Sequence, residues 1–346
     1  RMGRIVVGYT QAGEPVTAEQ LKAAGSMAVI MREALKPNLL QTLEHTPVIV
    51  HAGPFGNIAH GNSSIVGDLI GIRGGEYLIT EAGFGADMGA ERFFNIKCRA
   101  SGMTPDAAVL VATVRALKAH SGKFKITPGK PLPADLLAEN PDDVRAGAAN
   151  LIKQIENVKV HGVSPVVAIN AFPGDFKSEH DAIREIAESV GARVAVCTHF
   201  SEGGKGATEL AQAVVEACDE PSTFQYCYDD VDSLKTKIEK VATKIYGAAK
   251  VTYSAAANTQ LDRYEKNGYG NLPVCIAKTH LSISSDASLK GAPTGHTVNV
   301  REVRASVGAG FVYPICGDMT TMPGLGSAPA ASIIDFDANG EIVGLS

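Results

Sequence analysis

Tryptophan is absent, and phenylalanine and tyrosine make up only 6% of the chain. A flat ring at a loop therefore stands out against a sparse background. Positive charge is not in excess either, because 32 Lys and Arg face 37 Asp and Glu for a net charge of -5. Without a global cationic field there is nothing to hold a polyphosphate backbone, so a nucleic-acid partner is not expected. No run approaches the roughly 18 consecutive apolar residues of a membrane span, and the N-terminus has no basic-then-apolar signal region. The sequence reads as cytoplasmic, with no membrane partner. The six cysteines contain no CxxC pair and no close Cys/His cluster, which points to reduced structural thiols and to no metal site.

What is present is ordinary globular composition: 346 residues, 45% apolar and 20% charged, enough for about two domains or one large α/β domain. The opening Arg1-Met2-Gly3-Arg4 runs at once into a strand-like segment, and the chain is expected to be part of something longer. From residue 47 onward, β-branched runs alternate with helical segments, the pattern of a parallel sheet with crossover helices. The expected strands are 47–51, 77–81, 107–111, 166–170, 193–197 and 274–278, each apolar enough to be covered on both faces. One helix should start at the Asn140 cap with Pro141 in its first turn and run to a stop at Gly162; another should span about 178–190 and stop at Gly191. Beyond residue 290 the alternating Thr297–Val300 and the run Phe311–Ile315 suggest antiparallel strands, and Asn339-Gly340 marks a terminal hairpin. The proline-rich stretch 127–133 reads as an exposed loop.

In parallel α/β sheets ligands bind beyond the carboxyl ends of the strands. The loop after residue 50 runs from His51 to Ser64 with Asn57, His60 and repeated glycine, a composition that serves tight turns or a ligand; its density of hydrogen-bonding groups favours the ligand. After residue 80, Gly83-Phe84-Gly85 opens a GxGxxxG series, a weak dinucleotide-like signal whose backbone amides would suit an anion. Phe84, Phe172 and Phe200 all follow expected strands, either as core or as a stacking platform for a flat heterocycle. No segment fits GxxxxGK[ST]; Gly203-Gly204-Lys205-Gly206-Ala207-Thr208 lacks the hydroxyl residue directly after its lysine.

These loops resemble those of the formate-tetrahydrofolate ligase family. Val50 to Gly61 is similar to that family's HGGPFANIAHG, Thr80 to Gly89 to its TEAGFGADLG, and Ala168 to Pro173 to its AINxFP. Asn271 to Thr279, Val300 to Arg304 and Met322 to Leu325 continue the series in order, so that the resemblance covers essentially the whole chain. It implies a parallel-sheet core of the P-loop NTPase-like type with flanking helices, plus a smaller C-terminal α+β region with antiparallel strands. The expected division is a remnant of a preceding domain (1–46), part of the nucleotide-domain sheet (47–162), a folate-binding α/β region (163–245) and a C-terminal domain (246–346).

The reaction implied is ligation of formate to tetrahydrofolate at the expense of Mg-bound ATP, through formyl phosphate, with a monovalent cation as a further ligand. Phe84, Phe172 with Pro173, and Phe200 would bracket the pterin; His51, Asn57 and His60 would lie near the formyl phosphate. Gly83 and Gly85 would meet the nucleotide, and Lys278 would meet phosphate or be an ordinary surface lysine. The family usually has tryptophan where Phe200 stands, and carries its P-loop in a portion that precedes Arg1. A homo-oligomer, in the family a homotetramer, or a complementary N-terminal chain is the partner expected. The rival expectation is a truncated, ATP-incompetent folate-binding or scaffold module.

Overall fold

The computed structural model describes residues 1–53, 56–126, 131–317, 319 and 330–344. The motif residues 54–55 and 322–325, and 127–130 of the proline-rich loop, lie outside the described residues. The first two strand pairs are antiparallel: β1 (Val6–Tyr9) with β2 (Pro15–Thr17), and β3 (Asn38–Gln41) with β4 (Pro47–Val50). The expected strand at 47 is thus real, yet it is half of a hairpin and half-exposed, where a doubly covered parallel strand was expected. Among the described residues up to 80, only Ala18, Asn62, Gly67 and Asp68 are buried. Segment 77–81 is not a strand, with Ile79 90% exposed; among the described residues it has no neighbouring strand to pair with.

The parallel sheet consists of β5 (Ala107–Ala112), β6 (Ser164–Asn170) and β7 (Arg193–Cys197), adjacent in chain order. Central β6 buries Val166, Val167 and Ile169 completely, which is why its sequence is apolar at consecutive positions rather than alternate ones. Val144, Leu151, Ile155 and Ile183 pack with Val167 and Ile169 in one cluster, so the crossover helices cover the sheet through their apolar stripes. Helix Thr208–Cys218 touches all three strands and adds nothing to that cluster. β5 precedes residue 162 while β6 and β7 follow it, so one sheet joins the stretches 47–162 and 163–245.

Asn140 caps its helix as expected, its side chain accepting from Asp143 N at 3.1 Å with Pro141 in the first turn. The single helix expected from 141 is, however, two: Pro141–Ala146 and Ala148–Lys159. The break falls at Gly147, where a Cβ would stand 1.8 Å from the Leu117 carbonyl oxygen. Close approach of another helix end, invisible in a local apolar pattern, sets the kink.

The C-terminal region is a mixed sheet in which β9 (Thr297–Ser306) pairs in parallel with β8 (Lys250–Tyr253) and antiparallel with β10 (Phe311–Cys316). The expected strand at 274–278 runs beside β10 only as single parallel bridges, Val274 to Val312 and Ala277 to Ile315. Helices Leu234–Lys244 and Ala255–Lys266, capped by Ser233 and Ser254, bury Ile238, Val241 and Leu261 against β9 and β10. The terminal hairpin, β11 (Asp335–Phe336) with β12 (Ile342–Val343), turns at Gly340 with φ 84°. No described helix is long and apolar enough to cross a membrane.

Candidate functional site

The loop after β4 and the loop around Phe84 are joined backbone to backbone. Asn62 bridges Ala82, and Gly83 N donates to Gly61 O at 2.9 Å. Gly61 has φ 67° and lies so near Gly56 that a Cβ on it would be 2.6 Å from the Gly56 Cα. On Gly89 a Cβ would be 1.7 Å from the Gly83 carbonyl oxygen. Glycine is dense here because two main chains occupy the space a side chain would need. Phe84, a non-glycine residue at φ 63°, turns its ring onto His280 (centroids 5.3 Å apart, 23° between planes) and over Gly56. Gly85 faces the protein too, since a Cβ there would meet Asp87 Oδ1 at 2.6 Å and Gln154 Nε2 at 3.0 Å.

Behind these loops, Ala86–Ala90 and Phe93–Cys98 form two π-helical segments that bury Asp87, Asn95 and Lys97, with buried Glu91 and Arg92 between them. Lys278 is 1% exposed, so the surface-lysine reading is overturned: its ammonium pairs with Asp87 at 2.6 Å and donates to Ser282 O (2.6 Å) and Thr279 O (3.1 Å). Burial lowers the Lys278 pKa, opposed by the Asp87 charge. Lys97 pairs with buried Asp68 at 2.5 Å. Arg92 donates to Ala59 O at 3.2 Å and to Ile276 O at 2.6 Å, tying the loop at 51–61 to the segment at 271–279. None of Asp68, Asp87, Glu91, Arg92 or Lys97 was singled out from the sequence. The available signal was a run, Glu91 to Lys97, with charges on every side of a helix too apolar to be solvated.

His51 and His60 have different environments. His51 Nε2 lies 2.8 Å from Ala34 O and must donate to it, which leaves Nδ1 to accept from Ser64 Oγ at 2.7 Å; Ser64 in turn accepts from Gly67 N and caps helix Ile65–Gly71. Both ring nitrogens are thereby engaged within the protein. His60 is pushed down to about 4 by burial, with Lys97 and Arg92 adding to the effect, so it is neutral at neutral pH. Asn57 is half-buried in the same loop.

Burial pushes Glu91 up to about 7 against an ordinary 4.5, with Asn95, Arg92 and Arg99 pulling it back. Between those two values folding takes up a proton at Glu91, so its contribution to stability falls as pH rises through that window. Buried His60 and His161, both pushed down to about 4, act in the opposite sense between there and the ordinary histidine value of 6.5. Glu91→Gln is therefore expected to gain on the native protein steadily from about pH 5 to about pH 7 in urea-unfolding midpoints. Parallel pH profiles for the two proteins would refute this.

A second group stands at the carboxyl ends of β6 and β7. Asn170 pairs with Cys197, so the two strands end level, and Phe172 and Phe200 leave from neighbouring strands. Phe172 is 39% exposed and Phe200 83%. The Phe172 turn is fixed by its own N–H donating to Asp175 Oδ2 at 3.0 Å. The Phe200 loop is fixed by Thr198 N on Gly206 O (2.9 Å) and by Gly204 N on Glu44 Oε1 (2.8 Å), a contact from the turn between β3 and β4. Pro173 lines a cleft of about 170 Å³ with Arg115, Lys118, Leu136, Asp175 and Glu179. Phe84, which follows no strand, makes no ring contact with Phe172 or Phe200; its partners are His280 and Gly56. The candidate residues thus fall into two groups: Phe172, Pro173 and Phe200 at the sheet mouth, and the loops carrying His60, Gly83, Phe84 and Gly85 against the buried charges.

A parallel sheet with exposed rings at its mouth, joined to glycine loops over buried charge, is the arrangement of an α/β ligand-binding protein. All of residues 1–346 match the family model for formate-tetrahydrofolate ligase, and the chain belongs to that family. It is 70% identical over 346 residues to the formate-tetrahydrofolate ligase of Saccharopolyspora erythraea and 64% identical over 345 residues to that of Cutibacterium acnes. The formate-tetrahydrofolate ligase of Herpetosiphon aurantiacus is 58% identical over 346 residues. Each match takes in 100% of this chain and 61% of the relative, so the chain spans about three-fifths of their length.

Proposed function

We propose that this chain supplies the folate side of an ATP-dependent ligation of formate to tetrahydrofolate, passing through formyl phosphate to 10-formyltetrahydrofolate in the cytoplasm. The observation that carries the reading is the pair of exposed phenylalanines, Phe172 and Phe200, on level ends of adjacent strands in a chain poor in aromatics. A ring face left in water at a sheet mouth is a stacking surface, and a pterin is flat enough to cover it. Pro173 would border the same face.

In this reading the protein's tasks are to align the folate nitrogen with the formyl carbon and to keep water from the acyl phosphate. The loops at 51–64 and 80–91 would close the formyl-phosphate end, with neutral His60 and Asn57 as hydrogen-bonding groups and the backbone at Gly83 and Gly85 near the nucleotide. Mg-bound ATP and a monovalent cation complete the ligand set. The terminal phosphates would be anchored by a P-loop outside these residues, because no GxxxxGK[ST] occurs among them. That P-loop would come from further chain of the same protein or from a complementary chain, within a homo-oligomer.

Phe172→Ala and Phe200→Ala are each expected to weaken tetrahydrofolate binding by about 1–3 kcal/mol, the range of base-aromatic stacks. Phe200→Trp, which enlarges the stacking face, is expected to equal or exceed the native affinity. Fluorescence titration of the three variants tests this; unchanged affinity in both alanine variants would put the pterin elsewhere.

A further inference from the structure

Arg115 follows β5 and stands beside Phe172, its guanidinium carbon 5.0 Å from the ring centroid. Arg99, Arg145, Arg184, Arg193 and Arg304 all reach carboxylates. Among the described residues Arg115 has no hydrogen-bond or ion-pair partner, although it is half-buried and lines a cleft with two acidic side chains. Those acids are already committed. Asp175 Oδ2 accepts from Phe172 N at 3.0 Å and lies 3.4 Å from His180 Nε2. Glu179 pairs with buried Lys118 and accepts from Asn140 N (2.9 Å) and Phe176 N (3.2 Å). A guanidinium held against an aromatic face still offers its N–H donors in a rigid fork that matches an oxyanion.

We propose that Arg115 binds an oxyanion of the substrates that occupy the Phe172 mouth, acting as a specificity residue for the ligand stacked there. The inference rests on the folate reading above. The oxyanion has two possible sources, the glutamate carboxylate of the folate or the phosphate of the activated formyl group, and both present the same paired oxygens to the fork. Arg115 is half-buried and, among the described residues, makes no hydrogen bond or ion pair, so its replacement breaks none of either.

The test titrates the full protein and its Arg115→Gln and Arg115→Lys variants with three probes: tetrahydrofolate, tetrahydropteroate, which lacks the glutamate, and inorganic phosphate. If the carboxylate is the ligand, native protein prefers tetrahydrofolate, and the Gln variant loses about tenfold or more on that probe alone, the usual worth of a charge-assisted hydrogen bond. If phosphate is the ligand, phosphate binding disappears in the Gln variant and returns in part with Lys, while both pterins are affected equally. Both patterns support the oxyanion site. A Gln variant that keeps the native preference between the two pterins and the native affinity for phosphate overturns it. Native protein that binds neither pterin refutes the folate reading, and the phosphate arm then still decides the role of Arg115.

Discussion

Lys278→Met is expected to destabilise the protein by about 3–5 kcal/mol, the penalty for leaving one member of a buried ion pair without the other. The substitution strands Asp87, whose carboxylate is 7% exposed and lies 2.6 Å from the lost ammonium. It also removes the donor from Ser282 O and Thr279 O. Asp87 keeps its bonds to Gln154, at 2.9 Å through both the backbone N–H and Oδ1, and these hold the uncompensated charge in place. Adding Asp87→Asn to Lys278→Met should recover a large part of the loss, since the neutral amide preserves the acceptor for Gln154 without the charge. Urea unfolding of the native, single and double variants measures this. A double variant no more stable than the single would show that volume, not charge, governs the site. Lys177 and Asp181 are also 2.6 Å apart, but on an exposed helix face, and Lys177→Ala should leave the midpoint unmoved.

Gly89→Ala is expected to be severely destabilising, by about 3 kcal/mol or more, because the added carbon would fall 1.7 Å from a carbonyl oxygen of the main chain. No rotamer relieves that overlap. The helix must move off the loop, and the Asp87–Lys278 pair, whose Asp87 is two residues from the clash, moves with it. The control is Gly25, inside helix Ala24–Ile30 with nothing within 4 Å of its would-be Cβ. There the ordinary rule holds, and Gly25→Ala should stabilise by up to about 1 kcal/mol. Opposite signs for the same substitution in two helical settings, read as thermal midpoints, would confirm that Gly89 is required by contact rather than by backbone conformation. Equal signs would remove the backbone contact between Gly83 and Gly89 from the account of the site.

Parts of this architecture were legible in the chain alone. Residues 166–169 and 194–197 are apolar at consecutive positions because they are covered on both faces, and that requirement acts within each strand. The cap at Asn140 and the turn at Gly340 are likewise decided by one or two residues. Phe172 and Phe200 could be picked out because they follow legible strands. What resisted reading depends on distant partners. The kink at Gly147 is dictated by Leu117 O, and segment 77–81 has strand-like composition but, among the described residues, no strand beside it. Lys278 reads equally as a phosphate contact or a surface residue until Asp87 is placed against it, and Arg115 has no motif at all. In each case the local pattern is compatible with two environments and a tertiary contact selects one.

The segment from Glu91 to Arg99 has bonds that reach far along the chain: Arg92 to Ile276, Asn95 to Cys227 N, and Arg99 to Asp230. These span 184, 132 and 131 residues. Such contacts impose the loop-closure entropy of the intervening chain before they return any enthalpy, so they form slowly and after local structure. Beside their nearer partners, Arg92 finds the Ile276 acceptor and Asn95 Oδ1 finds the Cys227 N–H donor only once the C-terminal region has folded back onto this segment. During synthesis those partners emerge well after the segment, and until then Arg92 has, among the described residues, only its earlier acceptor, Ala59 O. Locking the Arg92–Ile276 bond is in this sense a late checkpoint, passed only by chains whose two halves have both assembled.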